Sequence, residues 1–158
     1  MTEPVQSPPP ERLFAEELAF LAAWDDGPRP PGWKLTPRAA VTFIMGTRDE
    51  KLKGPKGSKP TAIVEKFVGD RAIVERSVVT LAGERGLLLV GEPGTAKSML
   101  SELLAAAISN TSALTVQGTA GTTEDQLRYG WNYATLLARG PSREALVPSP
   151  VLTASPSV

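Results

Sequence analysis

The chain has 158 residues, a soft prior for one ordinary domain, and its 17 Lys or Arg balance 17 Asp or Glu. Zero net charge gives no global pull toward nucleic acid or an acidic membrane. Neither Cys nor His occurs, which excludes disulfides, zinc fingers, thiol nucleophiles and every His-dependent triad or metal site. No apolar run approaches the ~20 residues of a membrane helix. The N-terminus lacks the basic and apolar regions of a signal peptide. A soluble cytoplasmic protein is the expectation.

Proline marks the organisation. Ten of the 15 prolines lie in residues 1–60, only Pro93 lies in 61–140, and four follow. The pattern predicts a proline-rich, partly helical N-terminal extension (1–60), a compact core (61–140) and a disordered tail (141–158). Within the extension, Glu11 to Trp24 has a helical stripe of Phe14, Leu18 and Leu21. The spacing favours a helix that covers the core over one that binds a partner. Asp25-Asp26-Gly27-Pro28 ends it. Thr36-Pro37 is an N-cap followed by proline at the first helical position, opening a helix to Gly46. Lys51 to Lys59 carries four lysines and no acid, and reads as a flexible solvated loop; a contact to phosphates or acidic partners is the sharper alternative.

From residue 61 helices and strands alternate. Asp70 can cap a helix through Leu81, with Ile73, Val74, Val78 and Leu81 as its buried side. Leu87 to Val90, four apolar residues after Gly86, fit a strand buried on both faces of a parallel sheet. A helix from Lys97 to Ser109 presents Met99, Leu100, Leu103, Leu104 and Ala107. Leu114 to Gln117 is a second strand candidate. Thr123, with Gln126 three residues on, has capping-box spacing and starts a helix through Ala138. The alternation predicts an α/β domain.

Gly91-Glu92-Pro93-Gly94-Thr95-Ala96-Lys97-Ser98 lies between the first strand and its helix. Phosphate oxygens need several N–H donors converging on one point, and glycine lets the backbone wrap that tightly. The helix N-terminus adds free amides and the positive end of its dipole. Lys97 can reach the β- and γ-phosphates, and the Ser98 hydroxyl can ligate Mg²⁺. The strict pattern, G-x-x-x-x-G-K-[ST], has glycine where this sequence has Ala96; a methyl group is tolerated there if the dihedrals are near-helical.

With those residues in place, Phe67 to Leu127 resembles the start of an AAA+ ATPase module, most closely of the MoxR-like branch. Gly94-Thr95-Ala96-Lys97-Ser98 resembles a Walker A variant with Ala before the Lys. Phe67-Val68-Gly69-Asp70 resembles the linker whose backbone contacts adenine. Leu114 to Thr119, followed by Thr123-Glu124-Asp125, resembles the second strand and loop. The resemblance implies a partial P-loop NTPase three-layer α/β/α core. It implies ATP and Mg²⁺ held by Gly91 to Ser98 with Met99 beside them, adenine against Val68 and Gly69, and Ser98 as the metal ligand. It further implies ATP hydrolysis, a ring homo-oligomer, a chaperone-like role and a partner with a von Willebrand A-type domain. No membrane or nucleic-acid partner is expected. A Walker B strand, an apolar run ending in a carboxylate that holds Mg²⁺ and polarises water, is not found after Ser98. The expectation is therefore a module truncated before that strand, binding nucleotide but hydrolysing it poorly. A non-hydrolytic nucleotide-binding module, and more remotely a P-loop kinase, are the alternatives.

Overall fold

The structure, a computed structural model, describes residues 8–54 and 59–154. It divides into two compact units, Met1–Ser112 and Ala113–Val158.

The first unit is a helical core. Helices α1 (Pro10–Leu13) and α2 (Ala15–Trp24) are separated at Phe14, whose φ of −117° breaks the helical run. Leu18 and Leu21 of the expected stripe are buried, and the Phe14 ring meets Phe43 edge-on at 6.0 Å. Asp25 caps the C-terminal end of α2 and reaches forward. Its carboxylate accepts the Gly27 N–H and the Thr36 hydroxyl, at 3.1 and 2.7 Å. Thr36 in turn accepts the Ala39 N–H, so it caps α3 (Pro37–Met45) as its sequence demands. One hydroxyl thereby ties the end of one helix to the start of the next.

Helix α3 is the centre of this unit. Ala39, Ala40, Val41, Phe43, Ile44 and Met45 are all buried. It packs against α2, α4 (Arg71–Ala82) and α5 (Lys97–Ser109). Gly46 ends it with φ +67°, and a Cβ there would sit 2.6 Å from the Glu65 backbone nitrogen. Only glycine lets the chain at 63–65 pass so close. That passing segment is bonded to α3: Lys66 and Phe67 N–H groups donate to the Ile44 carbonyl. Asp70 caps α4 by accepting the Ala72 N–H at 2.9 Å. The buried residues of α4 are Val74, Ser77 and Val78, whereas Ile73 is exposed. Helix α5 has the expected bounds and buries Leu100, Leu103, Leu104, Ala106 and Ala107.

Among the described residues of the expected extension, α2 and α3 supply much of the core of the first unit. The lysine-rich stretch is part of a small hairpin: β1 (Lys51–Leu52) pairs antiparallel with β2 (Thr61–Ala62). Residues 55–58 of the expected loop, and residues 1–7 of the proline run, lie outside the described residues.

A larger correction concerns the central sheet. Among the described residues the sheets are two antiparallel pairs, and neither Leu87–Val90 nor Leu114–Gln117 is in a ladder. A strand buried on both faces needs neighbours on both edges to pair its backbone groups. Here Leu87 and Leu89 pack on the helical core, while Leu88 and Val90 are each 84% exposed. The period of two is that of a strand with one face covered.

The second unit opens with α6 (Glu124–Arg128). The long helix expected from 124 to 138 is broken there. Tyr129–Trp131 forms β3, and Asn132 starts α7 (Tyr133–Arg139) by accepting the Thr135 N–H at 3.1 Å. Gly130, a poor helix former, lies in the break. The expected disordered tail contributes a 3₁₀ turn (Arg143–Ala145), β4 (Leu146–Pro148) and α8 (Pro150–Ala154). Strand β4 pairs antiparallel with β3, Gly130 opposite Val147. The backbone of a 3-residue strand at 129–131 finds its partners there. Residues 155–158 lie outside the described residues.

Candidate functional site

Helix α5 carries the candidate site at one end and the core at the other. Its C-terminal half is buried, and its N-terminus emerges under the loop Gly91 to Ala96. The loop reverses on two residues with positive φ. Gly94 has φ +82°, where a Cβ would meet nothing within 4 Å, so the requirement is conformational and not steric crowding. Ala96 has φ 57° and ψ 23°. This corrects the expectation of near-helical dihedrals: Ala96 is left-handed, which costs a residue with a Cβ about 1–2 kcal/mol. The tight entry into α5 imposes it.

Lys97 turns back into the loop. Its ammonium donates to the Gly91 carbonyl at 2.8 Å, to the Glu92 carbonyl, and to Thr95 Oγ1 at 3.0 Å. The Thr95 hydroxyl donates to the Glu92 carbonyl at 2.8 Å. Gly91 faces this cluster, since a Cβ on it would lie 3.3 Å from Thr95 Oγ1. Glu92, Pro93, Gly94, Thr95, Ser98 and Met99 are exposed, and Lys97 is half-buried. Met99 therefore does not join the apolar side of α5 expected of it; it is 42% exposed near the loop. The first intrahelical bond of α5 is from the Leu100 N–H to the Ala96 carbonyl. The N–H groups of Lys97, Ser98 and Met99 precede it, as the first amides of any helix must, and have no acceptor within the helix.

The donor set suits phosphate. It combines helix-terminal amides, one ammonium and an exposed hydroxyl on a loop bent by Gly94. For Mg²⁺ the loop offers the Ser98 hydroxyl, and Mg²⁺ takes most of its oxygens from phosphate and water. Among the described residues no cluster of three or more Asp or Glu could hold a metal by itself.

The two residues expected against adenine lie just before α4. Val68 is 91% exposed, and Gly69 lies against the Phe67 ring, with a Cβ position only 2.5 Å from Cε1. Any side chain at 69 would displace that ring. Among the described residues no hydrogen bond or ion pair joins Val68 or Gly69 to residues 91–98.

Sequence reasoning missed Lys66. Its ammonium is buried, donating to Glu17, to the Phe43 carbonyl at 3.0 Å and to the Val64 carbonyl at 2.9 Å. It also lies over the rings of Phe14 and Phe43, 4.5 and 4.4 Å from their centroids. Burial pulls its pKa below the usual lysine range, opposed by Glu17. This cluster fastens α2 to the segment leading to α4. A lone lysine in Val64-Glu65-Lys66 gives no signal of it, because the partners come from 23 and 49 residues away.

Residues 86–156 match the family model for the AAA domain of the dynein-related subfamily. The match supports an AAA+ ATPase, a class built on a nucleotide-binding P-loop α/β fold. The chain is also 53% identical over 147 residues to the uncharacterized protein YehL of Escherichia coli (strain K12). That alignment takes in 93% of this chain and 38% of the relative's length. No solved structure matches the chain. Among the described residues no helix is long and apolar enough to cross a membrane.

Proposed function

We propose that this chain binds ATP through the loop Gly91 to Ser98, as part of a MoxR-like AAA+ ATPase with a chaperone-like remodelling role. The observation that carries the reading is the loop itself. Gly94 and Ala96 bend it over the N-terminus of a 13-residue helix, and Lys97 and Ser98 open that helix. In this reading the backbone amides from Gly94 to Met99 take the phosphate oxygens. Lys97 neutralises β/γ charge, which its position at the helix start allows. Ser98 supplies one oxygen to Mg²⁺, and the metal when bound screens the phosphate charges. Glu92 and Pro93 shape the loop, and Val68 and Gly69 contribute backbone toward adenine once nucleotide is bound.

Hydrolysis needs a group to polarise water, and none is identified in this chain. Glu124 and Glu144 are engaged with Arg128 and Arg139 on exposed ion pairs at 2.9 and 2.7 Å. The isolated chain therefore binds nucleotide with negligible turnover. Ring assembly and a partner with a von Willebrand A-type domain belong to this proposal for the longer protein. A non-hydrolytic nucleotide-binding module is the second reading, favoured by that missing carboxylate.

Calorimetry with Mg-ATP on the wild-type chain and on Lys97→Ala is the test. Binding heat in the wild type and its loss in the variant are expected. Equal heats would end the phosphate-loop reading. Steady phosphate release by the wild type, lost in Lys97→Ala, would overturn the prediction of negligible turnover.

A further inference from the structure

The neutral net charge conceals a local imbalance. Residues 29–53 hold six Lys or Arg against only Asp49 and Glu50. The fold gathers part of this charge at one place. A groove of about 790 Å³ runs beside α3, and Arg38, Arg48 and Arg71 all line it. Strand β1 forms part of its wall through Leu52, between the exposed Lys51 and Lys53.

The arginines differ in what already occupies them. Arg71 pairs with Glu75 at 2.6 Å, one helical turn on. Arg38 lies over the Trp24 ring, 4.8 Å from its centroid. Among the described residues neither Arg38 nor Arg48 is in an ion pair. Arg48 carries no such pair, and Arg38, exposed over Trp24, feels the Asp25 carboxylate only at a distance, so both guanidinium groups can grip an incoming carboxylate with two parallel N–H bonds.

The rest of the lining selects among anions. The half-buried Trp24 and Leu52, over a floor formed by the largely buried Val41 and Met45 of α3, give an apolar surface between the charges. Glu75 is matched by Arg71, and the exposed Glu50 beside Arg48 repels a ligand of dense, continuous negative charge. A nucleic-acid backbone or polyphosphate has such charge and no aliphatic groups for the surface. A peptide alternating acidic and aliphatic side chains meets both demands.

We infer that this groove is a docking site for an acidic, leucine-rich peptide segment of a partner protein. Arg38 and Arg48 receive its carboxylates, and Trp24 and Leu52, over the floor of Val41 and Met45, receive its aliphatic side chains. The inference is independent of nucleotide binding, since it uses no residue of the phosphate loop. Lys51 and Lys53, exposed on either side of Leu52, raise the local potential at the rim.

The test is fluorescence anisotropy of the full chain with a fluorescein-labelled peptide alternating Glu and Leu. Two further probes are a peptide alternating Lys and Leu and a single-stranded oligothymidylate of matched length. The acidic peptide is expected to bind, more weakly at high salt. Arg38→Glu/Arg48→Glu should weaken it about ten-fold, two exposed attractions having become repulsions. Arg48→Gln alone, at an exposed position outside every helix and strand, should weaken it about three-fold. Arg85→Glu/Arg143→Glu makes the same charge change outside the groove, at exposed positions, and should stay within about two-fold. The inference is overturned if the oligothymidylate or the basic peptide binds as tightly as the acidic one. It is equally overturned if the groove variants bind the acidic peptide as the wild type does.

Discussion

Helix α3 and the segment Leu87–Val90 are both apolar stretches of the first unit, and they meet opposite fates. Six of the nine residues of α3 are buried, with Phe43 and Ile44 fully so. In Leu87–Val90 every second side chain is in solvent. Apolar composition states a demand for burial; the neighbours decide whether it is met. Three helices converge on α3. The other stretch has helices on one side and, among the described residues, no strand on either edge.

The comparison can be broken most forcefully at Phe43. Phe43→Ala should cost about 3–5 kcal/mol in chemical denaturation, since it deletes a fully buried ring. A loss below ~1 kcal/mol would mean that α3 is not the centre of the unit. Next comes the clamp on its flank. Glu17→Gln leaves the Lys66 ammonium buried without its carboxylate and should cost about 2 kcal/mol. Lys66→Met, which removes the charge and keeps an aliphatic chain among Phe14 and Phe43, should cost less than Glu17→Gln.

Smaller effects probe the loop and the caps. Ala96→Gly should raise stability by about 1 kcal/mol by relieving the left-handed Cβ, less glycine's own entropy cost. A drop in melting temperature would show that Ala96 is unstrained. Asp25 supplies a pH test. The Thr36 hydroxyl, ahead of burial that opposes it and the Gly27 N–H that assists, holds its carboxyl below the usual aspartate range. The folded state thus prefers the carboxylate. Its contribution is complete above the ordinary aspartate pKa and is lost as pH falls through the lower folded value. Asp25→Asn should cost about 1 kcal/mol at neutral pH, with the gap to wild type closing in acid. A gap unchanged by pH would refute this. Leu88→Ser is the smallest, within about 0.5 kcal/mol, because Leu88 is already in water. A cost near that of Phe43→Ala would show that Leu88 is covered in solution.

Local chemistry was legible where both partners lie close in sequence. Thr36-Pro37 and Asp70 announced their caps, and the loop Gly91 to Ser98 with α5 behind it was readable from glycines, a lysine and an apolar period. Features depending on distant partners were not. The Glu17–Lys66 clamp spans 49 residues. The role of α2 and α3 as core was hidden by prolines that flank helices as well as loops: Pro37 starts α3, and Pro10 starts α1. The groove beside α3 joins Trp24 to Arg71 across a stretch that reads as unremarkable loop. Leu87–Val90 shows the converse error. Its composition implies burial on two faces, which no segment can provide for itself.

The three oxygens around Lys97 have a thermodynamic consequence for any anion that approaches the loop. Gly91, Glu92 and Thr95 act as an internal ligand for the ammonium, so an arriving phosphate must displace them before it can be gripped by Lys97. The measured affinity is then the intrinsic affinity scaled by the fraction of molecules whose lysine has let go. Removing the Thr95 hydroxyl loosens that internal hold without touching a backbone amide, and so tunes affinity through the unliganded state alone.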